Sequence, residues 1–90
     1  MSGCAKQTFS QVNQLTFDCL KQKALSIGIT INSNQGQDSK DGMTIAWSFD
    51  PGAQTLDLTC VDKPWYAPCA TVNSKIHELV ETCLQPIPAP

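Results

Sequence analysis

The sequence has no apolar run longer than a few residues, so neither a transmembrane helix nor a signal-peptide core is read in it. The expectation is a soluble, cytoplasmic protein. Clustered positive charge is missing too: the six basic residues stand apart at positions 6, 21, 23, 40, 63 and 75, and the net charge is −2 with a pI near 5.0. A nucleic-acid surface needs a basic patch, and a membrane-surface helix needs Lys or Arg along one face. Neither partner is expected.

No C-x-x-C pair occurs among the five cysteines, whose spacings are 15, 41, 9 and 14. That argues against a thioredoxin-like motif and against a zinc ribbon. There is no glycine-rich phosphate loop and no G-x-S-x-G elbow. The polar stretch at 32–43 resembles a calcium loop only in part. With Asn32 and Asn34 at the first and third ligand positions, Gly36 falls at the fifth and Met43 at the twelfth, where a bidentate Glu is required. No metal and no cofactor are expected.

An odd number of irregularly spaced cysteines is the usual look of reduced cytosolic thiols. Export would suggest a local Cys60–Cys69 disulfide instead. The opening "MSGCA" adds a second alternative, in which Cys4 is the lipid-bearing cysteine of an exported lipoprotein. Membrane attachment is expected only in that case.

What is present reads as one small α+β domain. Ninety residues bury only about 60 to 65% of the surface that the unfolded chain exposes, which leaves room for one core. Residues 1–8 are expected to be a flexible tail, 9–84 the domain, and the proline-rich 85–90 a second tail. Phe9, Val12 and Leu15, three apart, suggest a helical turn over the core. A helix follows, with Thr16 as cap, Asp18 at the positive end of its dipole, Leu15 and Leu20 as a hydrophobic staple, and Gly28 at the left-handed C′ position. Phe17, Leu20, Ala24 and Ile27 share its apolar face, with Cys19 turned to solvent.

"ITIN" at 29–32 reads as a strand, followed by a polar loop. "MTIAWSFD" and "TLDLTCV" alternate apolar and polar residues across "DPGAQ", where Gly52 is available for positive φ. The hairpin register follows: Phe49 opposite Leu56, Trp47 opposite Leu58, Ile45 opposite Cys60. A last helix carries Cys69, Val72, Ile76, Leu79, Val80 and Cys83 on one face, starting either at Pro68 or at an Asn73 cap. The predicted architecture is a two-layer sandwich in the order α-β-β-β-α, with a three-stranded antiparallel sheet and both helices on its Trp47 face.

Three functional readings compete. A catalytic one rests on Cys69, a thiol at a helix N-terminus, with His77 as partner and Cys19 as a redox mate. Against it, His77 lies two turns further along the helix and no orienting carboxylate or amide is assignable. The preferred reading is a non-enzymatic protein-interaction module, with homodimerisation as one form. Here Pro64 and Pro68 stiffen a loop displaying Trp65 and Tyr66 as rigid aromatic anchors. The third is a pocket for a small apolar ligand between helices and sheet, for which a chain this short seldom spares volume.

Overall fold

Residues 3–64 and 66–84 are described by a computed structural model of the protein. Along the chain run β1 (Gln7–Phe9), α1 (Gln14–Ser26), β2 (Gln35–Lys40), β3 (Met43–Asp50), β4 (Thr55–Asp62) and α2 (Cys69–Leu84). The strands form one antiparallel sheet in the order β1-β4-β3-β2. The α+β class and the two helices are as predicted, but the sheet has four strands rather than three.

The β3–β4 hairpin carries the expected register, pairing Phe49 with Leu56, Trp47 with Leu58 and Ile45 with Cys60. All six side chains are buried, because alternation sends every second residue to one face. Phe17 of α1 stacks on Phe49 with ring centroids 4.3 Å apart, and the buried faces of both helices join the same core. The Trp47 indole N–H donates to the Ser33 carbonyl at 2.9 Å, which satisfies its one polar atom. On the other face Ser39 and Thr44 share a 2.6 Å hydrogen bond, and Asp57 accepts from the Thr8 hydroxyl at 2.7 Å. The reversing turn uses Gln54 at φ 56°, not Gly52, while Asp50 Oδ1 accepts from the Gly52 and Ala53 amides.

The strand expected at 29–32 is absent, and another forms at 35–40. Ile29 and Ile31 are buried, as their apolar character requires, but residues 29–32 lie outside any strand. The Thr30 amide bonds instead to the Asp38 carboxylate at 2.8 Å. The added strand is β2, whose residues QGQDSK are almost all exposed and which acquires its pairing from β3. A polar edge strand is a common way to blunt a sheet.

At the other edge, β1 pairs Gln7, Thr8 and Phe9 with Leu58, Asp57 and Leu56. The expected domain boundary at residue 9 therefore falls inside a strand, and Cys4 N–H donates to the Cys60 carbonyl at 2.8 Å. Phe9 and Val12 are buried without forming a helical turn, and Leu15 is 78% exposed, so no staple forms. The expected tail at 85–90 lies outside the described residues.

Asn13, not Thr16, caps α1: its Oδ1 accepts from the Thr16 amide at 2.8 Å and from the Thr16 hydroxyl at 3.0 Å. That shift places Asp18 beyond the first turn. Gly28 has φ 89°, the left-handed conformation expected after the helix. In α2 the first helical residue is Cys69, and the Pro68 carbonyl accepts from the Thr71 and Val72 amides at 3.1 Å. Asn73 is thus inside the helix.

Candidate functional site

The cysteines are where the sequence reading changes most. Cys4 is bonded to Cys69, and Cys19 to Cys83, so the expectations of reduced thiols and of a Cys60–Cys69 pair are both corrected. Cys60 alone is free, buried between the sheet and the helices. The irregular spacing concealed this arrangement because each bond joins residues more than sixty apart, brought together only by the tertiary fold. Cys19 was assigned to the solvent side of α1, yet at half-burial it faces the last turn of α2.

Cys69 therefore carries no thiol to act as a nucleophile, and Cys4 carries none to bear a lipid. His77 is exposed on α2, its ring 5.9 Å from that of Phe9. With Gln7, Asn73, Glu78 and Glu81 it borders an open polar depression. Among the described residues no cluster of three His, Cys, Asp or Glu side chains could hold a metal ion. The Cys60 thiol is pushed to a higher pKa, chiefly by burial, which keeps it protonated and unreactive.

Of the expected aromatic anchor, Trp65 lies outside the described residues. Pro64 is half-buried and Tyr66 is 69% exposed. These two residues border an apolar cavity of about 370 Å³ between the helices and the sheet, smaller than the more open depression beside His77, about 590 Å³, but far more apolar.

Its walls follow from the fold. Leu20 and Ala24 reach it from α1 and Ile27 from the residue just past its end, Val72, Ile76 and Leu79 from α2, and Ile45 and Leu58 from the sheet. Ile29 and Ile31 close the side left by the missing strand. Ala24 contributes volume by being small where the helix comes over the sheet. Met43 adds a flexible thioether, a side chain that repacks readily around different shapes. The volume lies in the lower part of the range for small-molecule sites, about 300 to 1,000 Å³.

The polar rim is small: Lys40, Asp41, Thr71 and Lys75, with Tyr66 beside them. The Lys40 stem passes close to Gly28, where a methyl group would come within 2.7 Å of its Cγ and 2.9 Å of its Cδ. None of Lys40, Met43, Ile29 or Ile31 was singled out from the sequence as a site residue. The one signal available was the apolar pair Ile29 and Ile31, which indicated burial without indicating a cavity wall.

No protein-family model, curated protein or solved structure matches the chain. Among the described residues no helix is long and apolar enough to cross a membrane.

Proposed function

We propose that this protein is a small-ligand binding domain that holds one apolar molecule between its two helices and its sheet, without catalysing a reaction on it. The observation that carries the reading is the 370 Å³ cavity, walled mainly by aliphatic side chains. An apolar concavity with a few polar groups at its edge is the general form of a small-molecule site. Two disulfides support a further part of the proposal, that the protein works in an oxidising compartment, where such bonds persist. The test is fluorescence titration with the neutral probe N-phenyl-1-naphthylamine. Saturable enhancement at one probe per chain is expected, and a flat response contradicts the reading.

A second reading, a protein-interaction module centred on Pro64, Trp65 and Tyr66 and self-associating in one version, draws on the exposure of Tyr66. Its test is sedimentation of the wild type and of Trp65→Ala across a concentration series. Concentration-dependent association that the substitution removes favours it, and a monomer throughout ends the self-associating version.

A further inference from the structure

Resting on the pocket reading above, we propose that the ligand is a single-chain carboxylate, its tail in the cavity and its anionic head at Lys40 and Lys75. The first argument is charge. The chain as a whole is acidic, with a net charge of −2, yet two lysines and one aspartate line the cavity. Lys40 has no ion pair among the described residues, and its stem lies across Gly28. Lys75 approaches only Glu78, at 4.0 Å, with the two side chains 60% and 72% exposed. A contact of that kind is weak and readily exchanged for a better acceptor. Asp41, beside Lys40 in the β2–β3 turn, is the one carboxylate on the lining, and two ammonium groups outweigh it.

The second argument is the lining. Aliphatic side chains from both helices and the sheet face one another across the cavity while Lys40 and Lys75 are exposed, so a ligand with an apolar tail and an anionic head meets both. Lysine is suited to the head group because its own methylene stem continues the apolar wall while the ammonium stays at the wet edge. The ligand class is thus a free fatty acid.

The experiment is displacement of bound N-phenyl-1-naphthylamine at pH 8 and low salt by dodecanoate, dodecanol, dodecyltrimethylammonium and cholate, each below its micellar concentration. Dodecanoate is expected to bind about tenfold more tightly than dodecanol, as a charge-assisted contact allows. The cationic chain and the bulky steroid acid are expected to bind more weakly still. In the Lys40→Gln, Lys75→Gln double variant the preference for dodecanoate over dodecanol is expected to disappear, and its retention overturns the assignment of the head group to these lysines. Equal binding of dodecanoate and dodecanol by the wild type overturns the head-group assignment and leaves the apolar pocket standing. Tighter binding of cholate overturns the single-chain assignment. If the naphthylamine itself fails to bind, the pocket reading falls and this inference with it.

Discussion

Cys19, in the second turn of α1, is disulfide-bonded to Cys83, next to the last residue of α2, with the two Cα atoms 5.7 Å apart. At the other end of α2, its first residue Cys69 is bonded to Cys4. The helix that forms one wall of the cavity is therefore fastened at both ends, to α1 and to the segment that runs beside β4. Fixing a wall in this way reduces the ordering that a ligand must impose on binding.

Breaking these bonds should be costly. The disulfides span 65 and 64 residues in sequence, and in the chain-entropy account a loop of that size contributes about 4 kcal/mol. Each pairwise Cys→Ser variant should lose roughly 2 to 4 kcal/mol in urea unfolding. Because the two loops overlap, the quadruple variant should lose less than the sum. Reduction of the wild type should also weaken binding of an apolar probe, since α2 is then unfastened.

Cys60 should be the only thiol that labels after denaturation without reduction, and it should stay silent in the native protein. Peptide mapping after iodoacetamide treatment checks both statements. Its pKa is raised in the fold, above all by burial, so the native state holds the proton more tightly than the unfolded chain. The associated stability is fully present below the ordinary thiol pKa, and it is lost as pH rises toward the folded value. Urea midpoints measured from pH 7 to 10 should fall with pH more steeply in the wild type than in Cys60→Ala.

Asp38 titrates with the opposite sign. The Thr30 amide, and after it the Ser39 amide, hold its carboxyl below the usual aspartate value. Stability from this contact is present above the unfolded pKa and is lost as pH falls through the folded one. Asp38→Asn should therefore destabilise the protein at pH 6, with the difference from wild type shrinking by pH 2. Acid-range urea midpoints of the two proteins decide it.

Asn13→Ala removes the acceptor that α1 uses for the Thr16 amide and should cost about 1 kcal/mol. Thr16→Val keeps that amide and should cost less. Paired urea unfolding curves separate the true cap from the residue that the sequence suggested for it.

The β3–β4 hairpin was legible because two alternating segments flank a short turn, so that one register alone buries both apolar faces. Strand β2 was not legible, because QGQDSK has no apolar period and its extended form is imposed by pairing with β3. β1 is three residues long, too short for periodicity to show. Ile29 and Ile31 were recognisable as apolar and β-branched, but burial beside a strand and membership of one leave the same mark on the sequence. The disulfide pairs depend on the crossing of the helices, which composition does not encode. The cavity is a further step removed, arising where Ala24, the irregular 29–32 segment and the two helices fail to fill the space above Ile45 and Leu58.

Uptake of an apolar molecule by this cavity is best checked by calorimetric titration with dodecanol at several temperatures, on the wild type and on Leu79→Trp, whose indole should occupy the space. One site per chain, a negative heat-capacity change from apolar burial, and loss of binding in the substituted protein with its circular dichroism unchanged are expected. No saturable heat in the wild type at any temperature, or equal binding by a folded Leu79→Trp, would contradict it.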